Sequence, residues 1–349
     1  MKPLASEDLA RILEHTLPLW ERARGRRMFL TGCTGFFGTW MLESLAYCNR
    51  RLNLDLMATV LSRDPASFVS RMPHLDGEPS IQWLQGDIRD FTYPNGQFEF
   101  VLHGAASTSS GAESDPAELR STLIDGTERV LAFAKTHGAK SFLLTSSGAV
   151  YGRQPVSLTH IPEDYVGGPG TLKSMTAYAE AKRASERICA QQAQESEIRF
   201  TIARCFAFVG PHLPLDQHFA IGNFIGDALA GRDIAIRGDG TPMRSYLYAA
   251  DLAIWLWTML LGTSDSIANP QVFNVGSGEA ISVGDLARLV IEELDPSLSV
   301  EIAQTPSADE PRLQYVPDVK RAEASLGLRP LIGLREAVRR TAAWHRLQS

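Results

Sequence analysis

Tyr178 and Lys182 stand four residues apart in a stretch whose helical pattern continues to about residue 194. Side chains at that spacing share one helix face, so the ammonium is expected near the phenol oxygen. A nearby positive charge favours the phenolate and tunes the phenol to exchange a proton with a hydroxyl or a carbonyl near neutral pH. Ser147 ends a predicted strand earlier in the chain, and its hydroxyl can hold the same oxygen. These three residues are therefore the predicted catalytic set.

Three glycines spaced three residues apart, Gly32, Gly35 and Gly38, follow an apolar run. The pattern predicts a strand, a tight turn and a helix whose free N–H groups and positive dipole end suit a pyrophosphate. Gly32 permits the turn, Gly35 lets the backbone approach the phosphates, and Gly38 lets the helix pack on the strand. The turn is therefore a predicted dinucleotide site. Its other expected cofactor contacts are Thr34, Phe36 and Phe37.

The next predicted strand, residues 54–61, ends at Ser62 and Arg63. A dinucleotide site usually has an acid here that binds the 2′-hydroxyl of the adenosine ribose, whereas a hydroxyl and a guanidinium suit a 2′-phosphate. The sequence therefore favours NADP(H). Asp64, one residue later, keeps NAD(H) as the alternative.

Two further predicted strands, residues 81–88 and 98–106, end in small or polar residues. Strands that alternate with helices predict a parallel, doubly wound sheet with its ligand crevice beyond the carboxyl ends of the strands. His103 could contact a ligand there or close a buried strand as a structural residue. The expected cofactor contacts at these two ends are Asp87, Ile88, His103, Ala105 and Ala106.

The organisation expected from these elements is an α/β fold with a Rossmann-type sheet and a smaller C-terminal α/β substrate-binding domain. Residues 1–27 are predicted to form an amphipathic helical extension, and residues 28–205 the NAD(P)-binding domain, its sheet completed by later segments. Residues 206–349 are predicted to be mainly substrate-binding and interleaved with the first domain.

Composition narrows the class of partner. The 349 residues carry a formal net charge of −6, which gives no electrostatic argument for nucleic acid or an anionic membrane. The four cysteines have no metal-ligand spacing, and their scatter is typical of a reducing compartment. Neither a membrane-spanning apolar run nor a secretory signal is evident. The sequence therefore predicts a cytoplasmic protein without metal.

Several motifs in one order carry a family resemblance. Besides the glycine turn, Gly86-Asp87-Ile88, Tyr178-x-x-x-Lys182 and Ser147, they are His103-x-Ala105-Ala106, Val150-Tyr151-Gly152, Arg204-x-Phe206-x-x-x-Gly210-Pro211, Arg244-x-Tyr246-x-Tyr248-x-x-Asp251 and Phe273-Asn274-Val275-Gly276. With them the chain resembles an extended short-chain dehydrogenase/reductase of the nucleotide-sugar epimerase/dehydratase family. The resemblance runs from about residue 27 to 340.

The resemblance implies a bound NAD(P), a nucleoside-diphosphate sugar as substrate and a homodimer formed through a four-helix bundle. By the same resemblance Ser147, Tyr178 and Lys182 are catalytic, Asp87 and Ile88 flank the adenine, and Arg244 meets the substrate diphosphate. A guanidinium fork suits that diphosphate on physical grounds. A proline-bounded loop at 209–219 is the expected floor for the sugar. The expected substrate contacts are Ser147, His212, His218, Asn223 and Arg244.

Departures from the family pattern bear on the reaction. Related 4,6-dehydratases carry an Asp-Glu pair where this chain has Gly148-Ala149, decarboxylases keep a glutamate at the Ala149 position, and 3,5-epimerase/4-reductases keep a cysteine there. Alanine titrates nothing and can do none of these jobs. Two family asparagines are replaced by Leu123 and Ala207, which leaves the contacts made there open.

The predicted activity is hydride transfer at a sugar carbon, C4, with two versions that need only this catalytic set. Reduction of a 4-keto-6-deoxy sugar nucleotide by NADPH is favoured by Ser62 and Arg63, and a 4-epimerase with tightly bound NAD is the alternative. A 4,6-dehydratase is disfavoured by Gly148-Ala149. A non-catalytic, redox-sensing NAD(P)-binding module is disfavoured by the intact catalytic set.

Overall fold

The computed structural model describes residues 1–105, 115–167, 175–217, 219–262, 269–307 and 312–348. The chain forms two compact units. The first comprises the described parts of 1–150, 175–204 and 253–273, and the second those of 151–174, 205–252 and 274–349. Two of the expected contacts, Ala106 and His218, lie outside the described residues. Substrate binding by the second unit stays a prediction.

The helices and strands are named here in chain order. They are α1 (Ser6–Thr16), β1 (Arg27–Thr31), α2 (Phe36–Leu52), β2 (Met57–Ser62), α3 (Pro65–Arg71), β3 (Ile81–Gln85), β4 (Phe100–His103), α4 (Pro116–Thr136), β5 (Ser141–Ser147), α5 (Ala177–Glu195), β6 (Arg199–Cys205), β7 (Phe208–Val209), α6 (Ala220–Leu229), β8 (Ile234–Ile236), β9 (Met243–Arg244), β10 (Leu247–Tyr248), α7 (Ala249–Leu261), β11 (Gln271–Val275), β12 (Ile281–Ser282), α8 (Val283–Leu294), β13 (Val300–Ile302), β14 (Gln314–Tyr315), α9 (Lys320–Leu326) and α10 (Leu334–Arg346).

A seven-stranded sheet in the order β11-β6-β5-β4-β1-β2-β3 carries the first unit. β1 pairs in parallel with both β2 and β4, and the pairs β2–β3 and β4–β5 are parallel too. The predicted doubly wound α/β sheet is confirmed. Strand order reverses at β1, where Thr31 and His103 are register partners. The carboxyl ends of β1 and β4 therefore form the crevice in which such sheets bind ligands.

Apolar side chains hold this sheet against its helices. The ring of Phe29 on β1 lies 4.3 Å from that of Phe133 on α4 and 5.3 Å from that of Phe91, measured between centroids. All three side chains are buried. Because interiors are close-packed, this cluster fixes the positions of the strand ends above it.

Side-chain caps set where two of the nearby helices begin. Asp115 accepts hydrogen bonds from the N–H groups of Ala117 and Glu118 at the start of α4. Thr176 accepts one from the N–H of Ala179 at the start of α5. Such caps satisfy N–H groups that have no partner within the helix. The cap at Thr176 thereby fixes the helix turn that carries Tyr178.

The N-terminal segment contains α1 and packs within the first unit. α1 buries Leu9 and Ile12 and contacts α2. A 3-10 segment follows, in which the buried Trp20 lies 4.8 Å from the ring of Trp257 on α7. Trp257 donates its indole N–H to the Ser44 hydroxyl at 2.8 Å. These tryptophans are core residues.

The second unit contains short strands and helices. β7 pairs with β10 and β8 with β13, while β9 lies between β12 and β14. α6, α8 and α10 contact one another. Among the residues that the structure describes, no helix combines the length and the apolar character needed to cross a bilayer.

Candidate active site

The glycine turn meets steric demands that no other residue could satisfy at two of its three positions. Gly32 has φ +73°, and a Cβ built there would lie 2.2 Å from the carbonyl carbon of Gly104. A Cβ on Gly38 would lie 2.0 Å from the Cα of Cys33. Gly35 differs, because a Cβ there meets nothing within 4 Å. The backbone at Gly35 therefore faces open space.

That open space suits a dinucleotide. Gly35 caps α2 without a side-chain hydrogen bond, so the first N–H groups of α2 have no side-chain acceptor from the cap. Exposed N–H groups at a helix start are the donors a pyrophosphate needs. Beside the turn lies a small cleft, and its lining residues are Gly32, Cys33, Phe37, Gly38, Met41, Leu102, Gly104, Thr145 and Leu256. The residues present therefore fit the expected cofactor.

Thr34, Phe36 and Phe37 are half-buried at the same turn, and the two phenyl rings lie 5.9 Å apart. Cys33, within the turn, is a poor nucleophile because burial raises the pKa of its thiol to about 12. Ala105 is also half-buried, and its N–H donates to the Thr31 hydroxyl at 3.3 Å. These residues frame the cleft without adding a titrating group.

The end of β2 carries the residues expected to read the adenosine ribose. Ser62 is half-buried and its hydroxyl accepts from the N–H of Asp64 at 3.2 Å, while Arg63 is exposed. Asp64 caps α3, accepting from the N–H of Ser67 at 3.0 Å. The carboxylate that would favour NAD is thus engaged as a helix cap, whereas the guanidinium of Arg63 is solvent-accessible.

Asp87 is held in place by its neighbour Arg89. The guanidinium of Arg89 donates to both carboxylate oxygens, at 2.7 and 2.8 Å, and also to Glu118 at 2.8 Å. Hydrogen bonds from Arg89 lower the pKa of Asp87, with a smaller contribution from the charge of Arg63. Asp87 is therefore anionic at neutral pH. Ile88 beside it is buried and would be 2.8 Å from a Cβ on Gly126.

His103 is a buried, neutral link between two threonines. Its Nδ1 lies 2.9 Å from the Thr31 hydroxyl and its Nε2 2.9 Å from the Thr127 hydroxyl. Thr127 donates its own proton to the Leu123 carbonyl at 2.6 Å, so the network implies a proton on Nε2. Burial, and secondarily the charge of Lys182, lowers the pKa of His103 to about 3. Both ring nitrogens contact threonines, which is the structural alternative that the sequence left open.

The predicted catalytic residues lie in the first unit, on β5 and α5. Lys182 is buried and donates from Nζ to the Thr145 carbonyl at 2.8 Å. The same Nζ lies 5.9 Å from the centroid of the Tyr178 ring. Ser147 ends β5 and its hydroxyl accepts from the N–H of Ala149 at 3.1 Å. The spacing along α5 therefore places the ammonium and the phenol ring on one helix face, and the contact with the phenol oxygen stays a prediction.

The environment of Tyr178 is apolar on one side. Leu119, Leu123 and Ala181 form a small buried cluster, and Tyr178 packs against it. Leu123 stands where the family usually has an asparagine. Its side chain is apolar packing, while its backbone carbonyl accepts from Thr127 and Ser185. Leu123 is therefore a packing residue in the apolar cluster that contacts Tyr178.

The expected substrate contacts in the second unit have different surroundings. Arg244 on β9 is half-buried and donates from one Nη to the Met243 carbonyl at 2.8 Å. Asn223 is half-buried on α6. His212 has φ +69°, and its ring lies 4.2 Å from that of Trp344 on α10. No sequence pattern indicates this tilted ring contact, because 132 positions separate the two rings.

A largely buried ion pair next to the predicted catalytic residues has no local sequence signal. Glu186 on α5 accepts from Arg204 on β6, with an N–O distance of 2.7 Å. Arg204 belongs to one of the family motifs, and Glu186 lies four residues after Lys182. No local sequence pattern indicates that Glu186 and Arg204 are in contact. Of the described residues, no group of His, Cys, Asp and Glu has the arrangement of a metal site.

Comparison with known proteins identifies the family of this chain. The sequence profile of the NAD dependent epimerase/dehydratase family matches residues 28–276. The UDP-glucuronic acid decarboxylase 3 of Arabidopsis thaliana is 30% identical over 313 residues, covering 89% of this chain and 86% of that protein. The chain belongs to the NAD dependent epimerase/dehydratase family.

Solved structures share the fold at lower identity. A UDP-N-acetylglucosamine 4-epimerase from Methanobrevibacter ruminantium, in complex with UDP-N-acetylmuramic acid, aligns with a TM-score of 0.76 at 21% identity and covers 93% of this chain and all of its own. MoeE5 in complex with UDP-glucuronic acid and NAD gives a TM-score of 0.73 at 23% identity, covering 93% and 100%. The likeness supports a Rossmann-type fold for this chain.

Proposed function

We propose that the protein is an NAD(P)-dependent oxidoreductase acting at a sugar carbon, C4, of a nucleoside-diphosphate sugar. The favoured reaction is reduction of a 4-keto-6-deoxy sugar nucleotide with NADPH. The observation that carries this proposal is the grouping of Ser147, Tyr178 and Lys182 in one unit with only Gly148 and Ala149 following the serine. A set that can move one proton, with no acid or base at the two positions after the serine, suits carbonyl reduction.

Each residue has a role that its contacts support. When bound, the nicotinamide cofactor would supply the hydride for the C4 carbonyl carbon. Tyr178 donates its proton to the carbonyl oxygen, so that the ketone becomes a secondary alcohol. Lys182 places a positive charge near the phenol and Ser147 holds the reacting oxygen. The bond from Lys182 to the Thr145 carbonyl fixes the ammonium in that place.

Dehydration and decarboxylation are disfavoured by the same site. Water loss across C5 and C6 needs a base for the C5 proton and an acid for the leaving hydroxyl, and Gly148 and Ala149 supply neither. The Arabidopsis relative is named a UDP-glucuronic acid decarboxylase. By the family resemblance such enzymes keep a glutamate at the position of Ala149. We therefore expect UDP-glucuronic acid not to be decarboxylated by this protein.

A 4-epimerase with tightly held NAD is the second candidate. It is supported by the resemblance to solved 4-epimerases and by MoeE5, which was solved with NAD. The same three residues would serve, since the phenol takes a proton from the C4 hydroxyl and later returns it. The names of the relatives favour UDP as the nucleotide. Arg63 and the engaged Asp64 favour NADP(H), and hence the reductase.

Product analysis decides between the reactions. UDP-, dTDP-, GDP- and CDP-hexoses, their 4-keto-6-deoxy forms with NADPH, and UDP-glucuronic acid are incubated with the protein in deuterated water and the products read by NMR. Reduced or C4-inverted sugars that Tyr178→Phe does not form support the proposal. A 6-deoxy product with deuterium at C5, or a pentose from UDP-glucuronic acid, would overturn it.

The cofactor carried by the purified protein gives an independent answer. Loosely bound NADPH supports the reductase, and stoichiometric NAD⁺ that does not exchange supports the epimerase. The homodimer that the resemblance implies is checked by light scattering on the same preparation.

A further inference from the structure

Three side chains form a buried network directly behind the catalytic residues. Glu186 on α5 accepts from Ser146 Oγ at 2.5 Å through its Oε1. Arg204 on β6 donates from Nε to the same oxygen at 3.0 Å and from Nη2 to Oε2 at 2.7 Å. The Glu186 and Arg204 side chains are only 10% and 15% exposed, so water screens the pair weakly.

This network is attached to the same strand end as the catalytic groups. Ser146 lies between Thr145, whose carbonyl accepts from Lys182, and the catalytic Ser147. On α5 the residues at 178, 182 and 186 recur every four positions and so share one face of the helix. The end of β5 is therefore tied to α5 at two successive turns, once by Lys182 and once by Glu186.

The charges of the network reach the catalytic interior. Burial raises the pKa of the Cys189 thiol on α5, with the charge of Glu186 raising it further and that of Lys182 lowering it. One buried thiol thus responds to both groups. Because Glu186 and Arg204 carry opposite charges in contact, their fields largely cancel at a distance.

We propose that the Glu186–Arg204 pair is a positioning and charge-balancing device for the catalytic set. It holds Ser146, and through it the strand end that carries Ser147, and it keeps the field of Arg204 from acting on Tyr178. The inference rests on the role proposed for Tyr178. Neither Glu186 nor Arg204 is placed in contact with substrate.

The sign of the effect follows from electrostatics. Glu186→Gln keeps the size of the side chain but removes the negative charge that opposes Arg204, and the net gain of positive charge favours the phenolate of Tyr178. Positions 178 and 186 are eight residues apart, which corresponds to about 12 Å along the helix axis. At an effective dielectric constant near 20, one unbalanced charge at that distance moves a titration midpoint by about one pH unit. Arg204→Met leaves the carboxylate unbalanced and moves the midpoint the other way.

The test titrates Tyr178 directly, by the ultraviolet absorbance of tyrosinate as pH is raised. In each background the matching Tyr178→Phe protein is subtracted, which isolates one phenol. The variants are Glu186→Gln, Arg204→Met and both together, with Glu195→Gln as the matched control. Glu195 is exposed on the same helix, so its removal changes the net charge equally but is screened by solvent.

We expect the midpoint to fall in Glu186→Gln, to rise in Arg204→Met, and to return close to the wild-type value in the double variant and the control. Unchanged midpoints in both single variants would overturn the proposal, since a purely structural pair predicts them. If Glu186→Gln does not fold, the rise in Arg204→Met decides alone. The titration needs no turnover, so a failure of the proposed reaction would be seen separately as absent product.

Discussion

Gly35 and Gly38 are only three residues apart, yet the structure predicts opposite consequences for the same substitution. Gly38→Ala should damage the fold, because its Cβ would lie 2.0 Å from backbone atoms of Cys33. Gly35→Ala should leave the fold intact, because nothing lies within 4 Å of its Cβ and its φ of −100° suits alanine. The new methyl group at 35 would instead occupy space needed by the cofactor pyrophosphate.

The expected magnitudes follow from these contacts. Alanine in place of a helical glycine contributes about 1 kcal/mol, but overpacking costs about 1–3 kcal/mol or more, and here the clash is with backbone. Gly38→Ala should therefore lower the free energy of unfolding by about 2 kcal/mol. At Gly35 the loss of a good cap and the reduced entropy of the unfolded chain roughly cancel. A lost charge-assisted hydrogen bond of about 1.5–3 kcal/mol should weaken cofactor binding there by about 10- to 100-fold.

Urea unfolding measures the first quantity, and titration of NADPH and NADH by fluorescence measures the second. Gly77→Ala is not a suitable control because Gly77 has φ +67°, whereas Gly333→Ala meets open space with an ordinary backbone. The reasoning would be refuted if Gly35→Ala bound both cofactors as tightly as wild type, or if Gly38→Ala unfolded at the wild-type urea concentration.

Three further predictions test single residues. Tyr178→Phe should lower turnover by about 10²–10⁴-fold with cofactor affinity nearly unchanged, and near-full activity in steady-state assays would contradict its role. Arg63→Ala should weaken NADPH far more than NADH, whereas equal losses in binding titrations would show that it does not read the 2′-phosphate. His103 has a pKa of about 3 when folded and an ordinary value of 6.5, so only the unfolded chain gains its proton between these values. Stability should therefore fall by up to about 1.4 kcal/mol per pH unit as pH drops below 6.5, and His103→Gln should remove that part of the slope measured by urea unfolding.

The large elements could be predicted because their patterns are local. The strand expected at 54–61 is Met57–Ser62, and the helical stretch expected to continue to about residue 194 is Ala177–Glu195. Shorter elements are different: Ile281–Ser282 pairs with β9, and Ser282 caps the helix that begins at Val283. Two-residue strands such as β7 and β12 are too short for any periodicity. Their pairing depends on partners far along the chain.

The candidate site divides in the same way. Tyr178 and Lys182 could be placed together because a helix brings residues four apart onto one face. Glu186 follows at the same interval, but its significance depends on Arg204, which reaches it from a strand 18 positions later. The position of His212 depends on Trp344 near the end of the chain. Contacts of this kind arise from the sheet and helix packing and leave no pattern in the sequence.

Two residues near the Tyr178 phenol differ from the family pattern, and both differences remove a polar or titratable side chain. Ala149, two positions after Ser147, has only a methyl side chain. Leu123 packs beside Tyr178, at a position where an asparagine amide would bring two hydrogen-bonding atoms. Neither side chain can carry a proton. His103, the imidazole beneath the sheet edge, is bound at both nitrogens and neutral above about pH 3. Of these described residues, Tyr178 is therefore the one to which the proposed function gives a proton to transfer, and it serves one carbonyl or hydroxyl oxygen.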